Sequence, residues 1–390
     1  MNKNCHSANT KVDEISTNNS ERVTVLRVNI HYKVIASVLL VLFVIAAVFV
    51  GGCGTANKPA PKPLPGDQAN KAAPGNVAMP PRMVIGYYEN PWPGTPDQSG
   101  SFPSMKAHAK SMTAVGPFWY KATKDGALEA KDSQLVYDTA RQLGLKMYPL
   151  VTNKTGSTDD VLGDPAVRTK VTDSIVKLVQ EKGYDGINID FELLPPKHKE
   201  NLTAFMAELY PKMKAINKLV IISVFPRVEV AEDVSGAYDY AKLAPNADFL
   251  QIMTYDNHWA TSDPGPVAPI DWYEKNIKYA IEQCGGPQKV IIGVGAYGYD
   301  WVDKKGETIK YADAIVLAEK NGAKINYDDK AQAPWFKYKD HEVWFENDKS
   351  TAAKLDIVAK YNPAGIAIWR LGQEQPEIWG TIDKKFPKGQ

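Results

Sequence analysis

The chain has 390 residues, 44% hydrophobic and 10% aromatic, which suits one large or two smaller packed domains and excludes a disordered chain. Forty-six basic residues against 45 acidic leave a formal net charge of +1, so nothing in the balance calls for nucleic acid as a partner. Cys5, Cys53 and Cys284 are too few and too scattered for a disulfide framework, and no paired Cys/His spacing calls for zinc.

Residues 1–33 are polar and mixed in charge, a leader expected on the cytoplasmic side because Arg22, Arg27 and Lys33 precede an apolar run. That run, Val34–Val50, is uncharged, and its seventeen residues reach only the lower limit for a spanning helix. Residues 34–53 read in two ways: an uncleaved membrane anchor, or an export signal whose Val50-Gly51-Gly52-Cys53 end resembles a bacterial lipobox with Cys53 as the acylated residue. Either way the remainder is expected outside the cytoplasmic membrane. Residues 54–81 are rich in Pro, Ala, Lys and Gly and predict an extended linker.

From Arg82 onward, strand-like and helix-like segments alternate, the pattern of a parallel α/β fold. The strand candidates are Met83–Tyr88, Met112–Trp119, Leu145–Val151, Gly186–Glu192, Leu219–Phe225, Phe249–Tyr255, Val290–Ala296 and Gly365–Trp369. Helices are predicted over Asp132–Leu143, Pro165–Lys182, Lys197–Asn217, Asp271–Cys284 and Thr351–Tyr361. Eight strands in roughly 300 residues fit a (β/α)8 TIM barrel. No G-x-G-x-x-G opens a helix, so a dinucleotide fold has no support and no cofactor is called for. About fifty residues, 298–347, break the rhythm with scattered aromatics, and predict a small α+β insertion between strands seven and eight.

The fourth strand carries the densest chemistry. In Ile187-Asn188-Ile189-Asp190-Phe191-Glu192 the apolar residues share one face, and Asn188, Asp190 and Glu192 share the other. A half-buried strand with two carboxylic acids on one face is costly unless they are hydrogen-bonded or used. Asp185 has the parity of the apolar face and is given a structural role. In such a barrel the working residues sit where strands end. Here those ends carry Tyr87, Trp119, Met253, Tyr255, Asp256, Tyr297, Tyr299 and Trp369. Aromatic rings stack on sugar faces and acids deliver protons, so the set suggests a glycan cleft. His341-Glu342 lacks the second histidine of a zinc hydrolase.

The run DGINIDFE resembles the D-G-x-D-x-D-x-E signature of glycoside hydrolase family 18, the chitinase-like enzymes. Met253-Thr254-Tyr255-Asp256 is similar to that family's sixth-strand motif, and Trp369 falls where its eighth-strand tryptophan floors the sugar site. GPFWYKATKDG, MTYDNHW, PGPVAPIDWYEK and GIAIWRLG resemble the spore-germination branch, the cortical-fragment-lytic N-acetylglucosaminidases. The resemblance spans most of Arg82–Trp379. It implies substrate-assisted, retaining hydrolysis of an N-acetylglucosamine-containing polymer, peptidoglycan before chitin, by a monomer. Glu192 is then the general acid, Asp190 the partner of the acetamido N–H, and Tyr255 the positioner of the acetamido oxygen. Asn188, Asp256, Met253, Trp369, Tyr87, Trp119 and Tyr297 are expected to line or support the substrate site.

Asn188 stands where the family's motif has its middle aspartate. Its amide cannot titrate, and is expected to donate to Asp190 and favour the ionised form. This departure keeps an alternative open, a non-catalytic, lectin-like glycan-binding protein on the same barrel. A vestigial scaffold is a third reading.

Overall fold

The structure, a computed structural model, describes residues 82–91, 100–154 and 159–388. The leader, the 34–53 segment with Cys53, and the 54–81 linker lie outside the described residues. All eight predicted strands form: β1 Met83–Tyr88, β2 Ala114–Ala122, β3 in two pieces (Lys146–Met147 and Leu150–Thr152), β4 Gly186–Asp190, β5 Leu219–Val224, β6 Phe249–Ile252, β7 Val290–Gly295 and β8 Gly365–Trp369. Each pairs in parallel with its sequence neighbour, and β1 pairs with both β2 and β8, which closes the barrel.

Strand parity decides which side chains meet. On β4, Ile187 and Ile189 point outward and are fully buried against the helices. Complete burial of such a side chain contributes about 1.5–3 kcal/mol. Asn188 and Asp190 take the opposite face. The inner face is apolar lower down, where Ile85, Ala114, Leu150, Ile221, Ile291 and Ala367 pack together, and polar towards the strand carboxyl ends. The helix Pro165–Lys182 delivers the chain to β4: Asp164 caps its start, Pro165 opens it, and Gly183 ends it at φ 67. Gly186 is needed for close approach, because a Cβ there would lie 2.3 Å from the Leu219 carbonyl oxygen. Below the barrel Asp185 accepts from Arg141 Nη1 at 2.5 Å and from the Met147 N–H at 2.9 Å, the structural role expected of it.

Four strands depart from expectation. Pro149 carries no N–H and splits β3. β2 runs past Trp119 to Ala122 and turns into a hairpin with Leu128–Ala130. β4 and β6 stop at Asp190 and Ile252, so Glu192 and Tyr255-Asp256 lie beyond the ladder, in backbone that leaves the sheet at the barrel mouth.

The insertion forms as an antiparallel sheet of five strands, Tyr297–Val302, Lys305–Lys310, Asn326–Asp328, Ala333–Tyr338 and His341–Phe345, with one helix, Tyr311–Lys320. Its aromatics Tyr297, Tyr299, Trp301 and Trp344 pack with Met253 and Tyr255, so it stands as a wall beside the mouth. A buried ion pair, Glu346 to Lys354 at 2.7 Å, fastens its exit to the helix Asp348–Tyr361.

Candidate active site

The pocket at the barrel mouth has a volume of about 140 Å³, and Tyr87, Asp190, Glu192, Met253, Tyr255, Asp256 and Trp369 all line it. Seven predicted residues, drawn from β1, β4, β6 and β8, therefore converge. Ser223, Phe225, Gln251 and Leu150 complete the lining. Trp369 forms one side, with its ring 5.5 Å from Tyr87 and 6.2 Å from Phe118.

Two zones differ in chemistry. Deeper in the barrel, neutral side chains satisfy one another. Asn188 Nδ2 donates to Tyr87 Oη at 2.8 Å, Ser223 Oγ donates to Asn188 Oδ1 at 3.2 Å, and Tyr87 Oη donates to Gln251 Oε1 at 3.2 Å. The expected Asn188 bond to Asp190 is not made; the amide hydrogen goes to the tyrosine. The Ser223 hydroxyl lies beside Asp190 and partly favours its ionised form. Asn188 is thus a hub of the deep network and does not line the pocket.

Nearer the opening stand three carboxyls, all with proton affinities raised by burial. Asp190, 3% exposed, is pushed up to about 7, against the expectation that its ionised form is favoured. The neighbouring Ser223 hydroxyl does not offset the loss of water. Glu192 is raised well above the usual range, first by burial, then by the negative charges of Asp190 and Asp256. Asp256 is raised by burial, and hydrogen bonds from Tyr297 and Tyr299 partly oppose this. The Tyr299 bond is 3.0 Å, and Tyr297 Oη donates to the same Oδ1. Tyr297 therefore supports Asp256 from behind and does not line the pocket.

Glu192 is positioned through its backbone. Asn153, just past β3, accepts from the Glu192 N–H at 2.7 Å and donates to its carbonyl at 3.0 Å. Tyr238 Oη donates to the Phe191 carbonyl at 2.7 Å. The acid is held at the mouth by two neutral side chains that leave its carboxyl free of a cation. Sequence reading missed Asn153, which no pattern flags. It also missed Ser223 and Gln251, each the lone polar residue in an apolar strand, a signal that was available.

Trp119, like Asn188 and Tyr297, does not line the pocket. It is 1% exposed, its Nε1 donates to Asn90 Oδ1 at 2.8 Å, and its ring packs 6.5 Å from Tyr184. Phe118, one residue earlier, faces Trp369 instead. A β-bulge at Trp119, where Phe118 pairs with Leu150 and Tyr120 with Val151, turns both Trp119 and Tyr120 to the outer core and leaves Phe118 towards Trp369.

The model for the family described as glycosyl hydrolases family 18 matches residues 83–374. The chain belongs to that family. It is a glycoside hydrolase. Among family relatives, it is 30% identical over 323 residues to the uncharacterized glycosylase YvbX of Bacillus subtilis, covering 77% of this chain and 91% of the relative. It is 28% identical over 294 residues to the cortical fragment-lytic enzyme of B. subtilis, covering 70% and 68%. Its fold matches the spore cortex-lytic enzyme SleL of Bacillus megaterium with a TM-score of 0.71 at 28% identity, over 79% of this chain and 75% of the other. A chitinase from Chromobacterium violaceum matches with the same TM-score, 0.71, at 29% identity, over 79% and 99%.

Proposed function

We propose that the enzyme hydrolyses β-glycosidic bonds in an N-acetylglucosamine-containing polymer with retention of configuration, and that peptidoglycan is preferred over chitin. The observation that carries this reading is Glu192: a carboxyl at the pocket mouth whose proton is held by burial and by two neighbouring acids, in a pocket with no lysine or arginine among its described lining residues. Such a group donates to the glycosidic oxygen as the C1–O bond breaks. The substrate's acetamido carbonyl oxygen forms the new bond to C1, giving an oxazolinium ion, so the protein needs no nucleophile. Tyr255 orients that oxygen. Asp190 accepts from the acetamido N–H, and its negative charge offsets the positive charge that builds up. Water then attacks C1, Glu192 takes the water's proton, and the C1–oxygen bond to the acetamido group breaks.

The polymer preference is supported by similarity to the cortical fragment-lytic enzymes and by the tethering expected of residues 34–81. We further propose that the catalytic domain acts on the outer side of the cytoplasmic membrane, held there through acylated Cys53 or an uncleaved 34–53 anchor. The purified protein, incubated with peptidoglycan and with chitin oligomers beside Glu192→Gln, tests the reading. Release of new reducing ends with initial β-anomer, lost in the variant, is expected. Glycan binding without new reducing ends would instead favour the lectin-like alternative. Radiolabelled palmitate incorporation, abolished by Cys53→Ser, is expected for the lipoprotein form.

A further inference from the structure

Two further openings near the strand carboxyl ends carry opposite charge. One, of about 390 Å³, shares Glu192, Tyr255 and Asp256 with the pocket and adds Glu229, Asp233 and the half-exposed Trp259; no lysine or arginine is among its lining residues. It shares the proposed acid Glu192 and does not include Trp369, so the mechanism proposed above puts the leaving group on this side. The other, of about 500 Å³, includes Arg370, the residue after Trp369, and among the described residues its charged lining is Lys131, Lys310, Arg370 and Glu89. Three cations to one anion is a marked local excess in a protein whose formal net charge is +1.

The three cations come from separate elements, each anchored to its surroundings. Arg370 directly follows Trp369, and its Nη2 meets Glu89 Oε2 at 2.8 Å. Lys131 follows the β2 hairpin. Its carbonyl accepts from Asn90 Nδ2 at 2.6 Å, and Asn90 is in turn held by Trp119. The Lys131 ammonium sits 4.7 Å above the Phe118 ring, which is edge-on to Trp369. One aromatic ring therefore separates this cation from the floor of the sugar site. Lys310 ends an insertion strand; the next N–H, of Tyr311, donates to the Gln373 carbonyl at 3.0 Å and pins that corner to the turn after β8. Burial pulls Lys131 below the usual lysine range, and Arg370 beside it acts in the same direction, while Glu89 opposes them. Glu89 pairs with Arg370 and also attracts Lys131, so among the described lining residues one carboxylate faces three cations.

We propose that this opening is a glycone subsite for a carboxylate-bearing sugar: a residue carrying a 3-O-lactyl group, or the acidic peptide that extends it. The assignment rests on the proposed hydrolysis of an N-acetylglucosamine polymer and names the charged residue that polymer must carry. A chitin chain has no carboxylate to offer Lys131 and Lys310. An alternating N-acetylglucosamine and N-acetylmuramic acid chain presents one at every second sugar.

Three hexasaccharides of equal length separate the cases: N-acetylglucosamine only, the alternating chain freed of peptide, and the alternating chain bearing its stem peptides. The full-length protein is expected to show higher kcat/KM on the carboxylated chains. In Lys131→Met/Lys310→Met that preference should fall about tenfold, the scale of one charge-assisted hydrogen bond. Raised salt should erode the wild-type preference in the same direction, and Lys131→Arg/Lys310→Arg should restore it. Loss on the peptide-free chain identifies the lactyl carboxylate, and loss confined to the stem-bearing chain identifies the peptide's carboxylates; both support the subsite. An equal fall on all three substrates, or no wild-type preference, overturns it. If no chain is cleaved, the reaction proposed above fails, and the subsite is judged alone by calorimetric binding of the peptide-free and N-acetylglucosamine chains to Glu192→Gln. Equal affinities there overturn the subsite.

Discussion

Asn188 and Glu192 leave the same strand on the same face, four residues apart, and end in opposite conditions. Asn188 lies in the ladder, and its amide is committed to Tyr87 and Ser223. Glu192 lies just past the ladder, with its backbone clamped by Asn153 and its carboxyl left to the pocket. Within a few ångströms the protein satisfies its polar groups in one zone and leaves them poised in the other. A buried carboxyl beside other acids raises its own proton affinity. A neutral amide in the same surroundings only fixes geometry. The deep zone is a frame, and the mouth is where protons move.

The largest expected effect is at the mouth. Glu192→Gln keeps the shape and removes the proton donor, so kcat should fall by about 10³-fold or more, in keeping with the loss of a general acid. Single-turnover hydrolysis measures it, with circular dichroism confirming the fold. A near-wild-type rate would move the acid elsewhere. Next comes Asp190→Asn, expected to lower kcat by about 10²-fold through loss of charge beside the oxazolinium. The same change should stabilise the fold. Because Asp190 is raised in the native state, its contribution to stability is full below the ordinary carboxylate range and is lost as pH climbs towards about 7. Asparagine removes that loss, a gain on the order of 2–4 kcal/mol at pH 7.5 that vanishes near pH 3.5. Paired urea titrations at the two pH values check the sign.

Asn188→Asp asks whether the deep zone is only a frame. It places a third carboxyl next to Asp190 and takes a donor from Tyr87, so we expect destabilisation of about 1–3 kcal/mol. It also moves the acid limb of kcat/KM, since the new negative charge raises its neighbours. An unmoved limb would mean that Asn188 does not communicate with Asp190. The smallest effect is Asp256→Asn. Removing one of the two negative neighbours of Glu192 lowers its proton affinity, so the alkaline limb should shift to lower pH by about half a unit to one unit with the rate near its optimum largely kept. A pH–rate series resolves this.

The amino-acid sequence by itself determined the barrel, because period-two strands alternating with amphipathic helices have one closed solution at this length, and all eight predicted strands form, four of them with shifted or split bounds. It also determined the face of β4, since Ile187 and Ile189 can be buried only by turning Asn188 and Asp190 inward. Asp185 followed from the same parity. What sequence did not decide is who meets whom across strands. Whether Asn188 donates to Asp190 or to Tyr87 depends on β1, a hundred residues away. Whether Phe118 or Trp119 faces the sugar depends on how β2 sits between two neighbours. That Lys131, Lys310 and Arg370 share one opening depends on a hairpin, an insertion and the turn after β8 arriving together. Local periodicity fixes the direction of a side chain within its element; its partners, and with them its charge state, exist only once the elements have packed.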